Sequence, residues 1–256
     1  MQVWSIANQK GGVGKTTTVV SLGALLAEQG HRVLLLDLDP QGSLTSYFGL
    51  NPDEIEQSAF DLFMHPGQLS AQRHADLIVA TSVPGMNMIP ASTALATLER
   101  NISQQNGMGL IVSKTLATLW DDFDYALIDT PPLLGVLLIN SLAACNKLLV
   151  PVQTEFLALK GLERMVHTIK MVTRSQRRVL DYLVIPTMFD RRTQASVKSL
   201  KTLREQHQGH IWHLAIPVDT KLRDASRDGK AISQLDGASR GARAYGSLLN
   251  TLVQNR

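Results

Sequence analysis

The segment Asn8-Gln9-Lys10-Gly11-Gly12-Val13-Gly14-Lys15-Thr16-Thr17-Thr18 decides the fold, because it joins a predicted strand to a predicted helix. The apolar run Val3-Trp4-Ser5-Ile6-Ala7 precedes it, and the apolar spacing of residues 19–29 after it is helical. A glycine-rich turn in this position binds phosphate through backbone N–H groups and the positive end of the helix. Such loops normally read G-x-x-x-x-G-K-[ST], with the lysine on phosphate and the hydroxyl on Mg²⁺. Here position 9 is Gln and an additional lysine, Lys10, precedes the glycines.

The composition is that of an ordinary globular chain, with 256 residues, 44% hydrophobic and 18% charged. This length is enough for a full core, and we expect one domain over residues 1–256. The single cysteine, Cys145, excludes a disulfide framework and a cysteine-cluster metal site, and it fits a cytoplasmic chain. There is no signal-like N-terminal region and no apolar run of the ~20 residues that span a bilayer.

The charge is divided unevenly along the chain. Residues 1–156 carry 7 Lys and Arg against 14 Asp and Glu, whereas residues 157–256 carry 18 against 8. The second part therefore has a net charge of +10, which favours a polyanionic partner such as nucleic acid. Solvated helix faces would give the same balance, so charge alone leaves both interpretations open.

Apolar runs alternate with helical segments throughout the sequence. Strands are predicted at residues 3–8, 32–37, 86–89, 125–129, 147–152, 180–186 and 211–214. Helices are predicted at residues 15–29, 92–102, 110–121, 135–144, 157–173, 194–207 and 238–252. Continuous apolar runs such as Val33-Leu34-Leu35-Leu36 suit a parallel sheet that is buried on both faces. We therefore expect a doubly wound α/β fold with a mostly parallel sheet flanked by helices, and we expect residues 51–84 to pack outside the sheet.

Three aspartates follow apolar strands and predict a Mg²⁺ site. Asp37 and Asp39 end one strand, two positions apart and hence on the same side, and Asp129 ends another. A lone aspartate in such a place is typically a turn or helix cap. Because all three share the carboxyl edge of a parallel sheet with the phosphate loop, we expect them to lie around Mg²⁺ and phosphate.

Together these residues resemble the ParA/MinD family of P-loop NTPases with a deviant Walker A motif. The motifs that carry the resemblance are Lys10-Gly11-Gly12-Val13-Gly14-Lys15-Thr16-Thr17, Asp37-Leu38-Asp39-Pro40-Gln41-Gly42 and Asp129-Thr130-Pro131-Pro132. Later blocks also match, at Pro151-Val152-Gln153-Thr154-Glu155, at residues 216–225 and at residues 239–245. The resemblance spans nearly the whole chain and is strongest to the short, Soj-like partition and positioning ATPases.

The resemblance implies roles for individual residues in an ATP-bound sandwich dimer. Lys10 would cross to the partner's nucleotide and neutralise phosphate charge, as an arginine finger does. Lys15 would bind phosphates, and Asp39 would position the attacking water. The Mg²⁺ shell would comprise Thr16, Asp37 and Asp129. The remaining nucleotide contacts would be Gly11, Gly12, Val13, Gly14 and Thr17, with Met188 and Pro217 on the adenine.

The resemblance also implies a non-specific DNA surface in the basic C-terminal region. The candidates are Arg191, Arg192, Lys198, Lys201, Arg223, Arg227, Lys230, Arg240 and Arg243. MinD-type proteins end in a basic amphipathic helix, whereas residues 245–256 carry charge only at Arg256, so we expect no membrane partner. Iron–sulfur relatives need several cysteines, which this chain lacks.

The expected function is that of a cytoplasmic, nucleoid-associated ATPase with ATP and Mg²⁺ as cofactors. Its ATP-bound homodimer would bind DNA and partition chromosome or plasmid DNA, with a partner protein stimulating slow hydrolysis. An alternative is the positioning of a protein cargo, such as a chemotaxis array, a flagellum or a microcompartment. A third hypothesis, a metabolic ligase or kinase, requires a second substrate pocket and gives Lys10 no role.

Overall fold

A computed structural model describes residues 1–64, 71–101, 108–175 and 179–254. The described residues form a seven-stranded sheet in the order β3-β4-β2-β5-β1-β6-β7. The strands are β1 (Gln2–Ile6), β2 (Val33–Asp37), β3 (Val79–Ala80), β4 (Met86–Ile89), β5 (Tyr125–Asp129), β6 (Lys147–Gln153) and β7 (Asp181–Thr187). All pairs are parallel except β3 with β4, which confirms the predicted mostly parallel sheet.

Helices cover both faces of this sheet. Those of the first half are α1 (Lys15–Glu28), α2 (Ser43–Tyr47), α3 (Ala59–Met64), α4 (Ala71–Asp76), α5 (Leu95–Asn101) and α6 (Ile111–Thr118). Those of the second half are α7 (Val136–Ala144), α8 (Phe156–Ser175), α9 (Gln194–Gln206), α10 (Lys221–Arg227), α11 (Ile232–Asp236) and α12 (Arg240–Gln254). A 3₁₀ turn at Met108–Leu110 precedes α6. None of the helices within these described ranges has the length and apolarity that a membrane span requires.

The core has two layers because side chains alternate along buried strands. In β2, Leu34 and Leu36 pack on the face covered by α6, α7 and α8. Val33 and Leu35 pack on the opposite face, which α1 and α12 cover. Every residue of β2 is buried, as expected for a strand between two helical layers. The prediction of a doubly wound α/β fold is therefore confirmed.

The predicted strand at residues 211–214 is wrong. The segment makes only an isolated parallel bridge between Val184 and Ile211. Its apolar pattern has another cause, since Trp212 is buried under α12 and its indole N–H donates to the Thr251 hydroxyl at 3.3 Å. Leu214 is exposed, so the chain has already left the sheet by that position.

Residues 51–84 contain α3, α4 and the short edge strand β3. The expectation that they pack outside the sheet is therefore wrong at Val79–Ala80, because β3 pairs with β4 at the edge of the sheet. The predicted end of a helix at residue 102 lies outside the described residues, as does Arg256. The fold places the candidate site at one edge of the sheet. Asp37 pairs in register with Asp129, and Ile6 of β1 lies on the other side of Asp129.

Candidate functional site

The phosphate loop lies between β1 and α1 and has the backbone geometry of an anion cradle. Helix α1 begins at Lys15, directly after Gly14, so its first N–H groups face the loop. Gly12 and Gly14 have φ angles of 71° and 93°, which favour glycine. Lys15 is buried. The loop can therefore bind phosphate through backbone N–H groups and one lysine.

Side chains from neighbouring strands fix the loop in place. Asn8 donates to the Pro151 carbonyl at 2.7 Å and accepts from the Lys10 N–H at 3.0 Å. On the other side, the Thr187 hydroxyl donates to the Val13 carbonyl at 2.9 Å. These contacts join the loop to the ends of β6 and β7, so the cradle is formed before a ligand enters.

The three aspartates converge at the sheet edge, as the sequence predicts. Asp37, Asp39 and Asp129 are all buried. The Thr16 hydroxyl donates to Asp129 at 2.6 Å, which joins the first turn of α1 to β5. Asp39 accepts from the Gln41 N–H at 3.0 Å at the turn beyond β2. A hydroxyl and carboxylates thus lie together at the positively charged end of α1.

Burial raises the pKa of each of these carboxyl groups. For Asp37 the cause is burial first and then the negative charge of Asp129. For Asp129 burial again dominates, and the Thr16 hydroxyl and Lys15 oppose it. For Asp39 burial raises the pKa, while the Gln41 N–H and Lys15 oppose the rise. Buried carboxylates whose charge is this costly are suited to binding a cation.

The donor set fits Mg²⁺ held together with a nucleotide. Mg²⁺ is usually bound by one or two protein oxygens, substrate phosphates and waters. The Thr16 hydroxyl and the Asp129 carboxylate can supply those protein oxygens. Among the described residues, no three His, Cys, Asp or Glu side chains form a ready-made metal cluster.

Thr45 is a site residue that sequence reasoning missed. Its backbone N–H and hydroxyl both contact the Asp37 carboxylate, at 2.9 Å and 2.7 Å. The N–H of Asp39 donates to the other oxygen of Asp37 at 3.1 Å. Asp37 is therefore fixed by its own chain more firmly than Asp129. Thr45 lies on the short helix α2, and no motif in the sequence distinguishes it.

A cleft of about 300 Å³ adjoins the phosphate loop and contains the predicted adenine contacts. Met188 and Pro217 line it beside Val13 and Thr17. Met188 has φ 52° and is the one non-glycine residue of the described ranges with positive φ. Arg223, predicted as a DNA contact, also lines this cleft.

Lys10 lies at the open side of the loop and contacts its own chain. Its amino group donates to the Gln153 side-chain oxygen at 2.6 Å and forms an ion pair with Glu155. Sequence reasoning gave neither partner a role, although both lie at the carboxyl end of β6, at the same edge of the sheet as the aspartates. A broad depression lined by Lys10, Leu133 and Leu157 extends from here, and both leucines are mostly exposed, at 62% and 70%.

Three of the residues predicted to contact DNA line one cavity, and the others do not. Arg191, Arg192 and Arg240 surround one cavity of about 550 Å³ next to Pro217. The others are exposed on α9, α10 and α12 or near them, at Lys198, Lys201, Arg227, Lys230 and Arg243. Some are paired: Arg192 with Asp190 at 2.8 Å, Lys201 with Glu205 at 3.8 Å, and Arg227 with Asp228 at 3.1 Å.

Comparisons with known proteins agree with this geometry. A family model described as an AAA domain matches residues 1–182. The sporulation initiation inhibitor protein Soj of Bacillus subtilis is 36% identical over 255 residues, 99% of either chain. The chromosome partitioning protein ParA of Caulobacter vibrioides is 34% identical over 256 residues, 99% of this chain and 94% of that one.

A solved structure is similar over the same length. It is cobyrinic acid a,c-diamide synthase from Mycobacterium smegmatis with a bound ATP analogue and magnesium. It matches with a TM-score of 0.84 and 35% identity, covering 99% of this chain and 95% of that chain. With the deviant phosphate loop, the strand-end aspartates and full-length relatives at this identity, the chain belongs to the ParA/Soj-like family of P-loop ATPases.

Proposed function

We propose that this protein is a ParA-type partition ATPase acting as one domain in the cytoplasm and on the nucleoid. It binds ATP and Mg²⁺, forms a homodimer, binds DNA non-specifically in that state, and separates chromosome or plasmid copies. The observation that carries the proposal is the position of Lys10 on the open side of the loop, beside an exposed apolar surface. A second copy can cover that surface and receive the lysine.

The loop and the aspartates support ATP binding with Mg²⁺. Lys15 and the first N–H groups of α1 hold the phosphates, and Thr16 and Asp129 hold the metal. Bound Mg²⁺ would supply positive charge that stabilises the phosphate oxygens during transfer. Asp39 accepts a proton or a hydrogen bond from a water beside the γ-phosphate. Asp37, fixed by Thr45, lies next to that shell, where a bound cation would favour its ionised form.

The exposed leucines support dimerisation. Leu133 and Leu157 expose large apolar side chains next to Lys10, and apolar surface of this kind is stabilised by contact with a partner. Lys10 on such a surface would lie near the phosphates of the facing copy. Its cation would then neutralise charge that develops during phosphoryl transfer. Hydrolysis and dimerisation would depend on the same residue.

Charge supports DNA as the surface on which the dimer acts. Residues 157–256 carry a net charge of +10, and three arginines gather around one cavity. Phosphate contacts of this kind carry no base sequence information, so binding would be non-specific and sensitive to salt. An activator protein would stimulate the slow intrinsic hydrolysis and release the dimer from DNA.

One rival function comes from the diamide synthase relative. ATP-dependent amide synthesis would use the same nucleotide site but would require an acid substrate. It would not require Lys10 to reach a second copy, and it would not require DNA. Positioning of a protein cargo remains the alternative within the ParA type, since it uses the same dimer and the same DNA track.

The test is a DNA pull-down with ATP, with ADP and without nucleotide. We expect retention with ATP alone. Lys10→Ala should bind ATP without dimerising and should lose retention, whereas Lys114→Ala, which removes an exposed lysine of α6, should behave as wild type. Asp39→Ala should remain on DNA longer than wild type, because hydrolysis is blocked.

Other results would contradict the proposal. The proposed cycle would be excluded if the protein were retained on DNA equally with ATP, with ADP and without nucleotide. It would also be excluded if Lys10→Ala formed a normal ATP-dependent dimer in sedimentation. ATP turnover that responds to cobyrinic acid but not to DNA would favour the amide synthase. Deletion of the gene separates the two cargoes: cells without DNA indicate partition, whereas a misplaced protein assembly with normal DNA content indicates positioning.

A further inference from the structure

Lys10 is engaged within its own chain by two side chains at the carboxyl end of β6. Gln153 is the last residue of β6, and Glu155 lies two positions later. The Glu155 N–H donates to the Gln153 carbonyl at 2.8 Å, so a tight turn brings the two residues together. Both side chains contact the amino group of Lys10. The amino group of Lys10 is thus occupied by contacts within its own chain.

Gln153 uses both ends of its amide. Its oxygen accepts from Lys10 at 2.6 Å. Its nitrogen donates to the Gly12 carbonyl at 3.1 Å and lies 2.9 Å from the Met188 sulfur. One side chain thus contacts the loop lysine, the phosphate loop and the cleft beside the loop.

Met188 is the part of this network that a nucleotide would disturb. Its side chain lines the cleft proposed for the base, and its backbone has the left-handed conformation with φ 52°. A base entering the cleft competes with Gln153 for contact with the Met188 sulfur. If the contact with Met188 is lost, the Gln153 amide has one partner fewer and can rotate more freely.

The hold on Lys10 is weak enough to be released. The lysine side chain is 36% exposed and the Glu155 side chain 49%. Exposed ion pairs contribute little, and several phosphate oxygens of a facing nucleotide offer a stronger, charge-assisted set of acceptors. The internal contact can therefore delay dimerisation without preventing it.

We propose that Gln153 is a positioning residue that links the base cleft to Lys10, and that Gln153 and Glu155 hold Lys10 within its own chain until a nucleotide fills the cleft. The proposal rests on the proposed function, since it concerns the step before dimerisation. Gln153 and Glu155 act through Lys10 and do not themselves contact phosphate.

The first test measures the ATP concentration at half-maximal dimerisation by analytical ultracentrifugation. Gln153→Leu and Glu155→Gln should lower it about two- to fivefold, the range for an exposed pair. Glu28→Gln removes an exposed carboxylate at the end of α1 away from the phosphate loop and should leave this concentration unchanged. Inorganic tripolyphosphate, which has no base, should promote dimerisation less than ATP in wild type and equally well in Gln153→Leu.

A Lys10→Ala background distinguishes positioning from simple damage to the nucleotide site. In that background both variants should bind ATP as tightly as Lys10→Ala alone, because their effect passes through the lysine. Weaker ATP binding there, or a higher dimerisation threshold in Glu155→Gln, would overturn the proposal. An equal change in the dimerisation threshold of Glu28→Gln would also overturn it.

A second measurement does not require dimerisation. The rate at which an acylating reagent labels Lys10, followed by mass spectrometry on the nucleotide-free protein, should rise in Glu155→Gln and in Gln153→Leu but not in Glu28→Gln. Unchanged labelling would overturn the internal contact. A rise in labelling without any ATP-dependent dimer would keep the contact and reject the proposed function, so the two failures are distinguishable.

Discussion

Replacing Gly14 with alanine should weaken the phosphate loop through backbone strain alone. Gly14 has φ 93° and ψ 27°, and a Cβ built there meets no atom within 4 Å. No steric clash adds to the effect, so the left-handed conformation of an L-residue accounts for it, at about 1–2 kcal/mol. That free energy corresponds to about a 5- to 30-fold change in an equilibrium constant.

The strain can appear in either of two measurements. If the free loop keeps its conformation, the free energy of unfolding falls and the Tm drops by about 2–8 °C. If the free loop relaxes, stability is preserved and the affinity for Mg²⁺–ATP falls by the same factor. Urea unfolding without nucleotide and calorimetric titration with a non-hydrolysable ATP analogue together measure the full amount.

Gly11 provides the matched control. A Cβ at Gly11 also meets nothing within 4 Å, and Gly11 is not among the glycines with positive φ. Gly11→Ala should therefore change both quantities little, and Gly12→Ala, at φ 71°, should resemble Gly14→Ala. Equal losses in Gly11→Ala and Gly14→Ala would refute the argument from backbone conformation.

Further predictions concern pH and DNA. Because the pKa of Asp129 is raised, its carboxyl group is protonated at low pH, and the Mg²⁺–nucleotide affinity measured by calorimetry should rise with pH. Asp129→Asn should bind the nucleotide weakly, and its affinity should depend less on pH. A pH dependence as steep as that of wild type would contradict this. Burial lowers the pKa of His74 in the folded chain below 6.5, so its stabilising contribution is complete above pH 6.5 and is lost as the pH falls from 6.5 through the lower folded-state pKa. The difference in urea stability between wild type and His74→Gln should show this loss, and a constant difference from pH 5 to 7.5 would oppose it. Arg191→Ala should reduce ATP-dependent DNA binding and lower its salt slope by about one, whereas Arg227→Ala, whose partner is Asp228, should have a smaller effect in the same salt titration.

The sequence predicts those parts of the site that depend on local motifs and on strand order. The glycines around Val13 come after β1, and Asp37 and Asp129 end β2 and β5. Parallel strands bring their carboxyl ends to one edge of the sheet. No structure is needed to expect that these residues meet. Their burial and raised pKa values follow from the same position.

The parts that could not be predicted depend on contacts between distant positions. Lys10 and Gln153 are 143 residues apart, and nothing in either segment specifies the other. Thr45 acts on Asp37 through the path of a short helix that carries no motif. Trp212 contributes to the wrong strand prediction, because a residue buried under α12 gives the same apolar pattern as a residue of a buried strand. Hydrophobic periodicity indicates which residues are buried, but it does not identify the residues that they contact.

The buried carboxylates also bear on how long the protein survives. Asp37 and Asp129 lie on adjacent strands, and burial raises the pKa of both carboxyl groups, so their ionised forms are costly in the nucleotide-free chain. A ligand that brings a divalent cation to this edge stabilises the folded chain by mass action, by about 2.7 kcal/mol at a hundred times its Kd. The nucleotide-free chain should then be the form that proteases open first. Under the proposed function, abundance in the cell would follow the supply of ATP, independently of any change in synthesis.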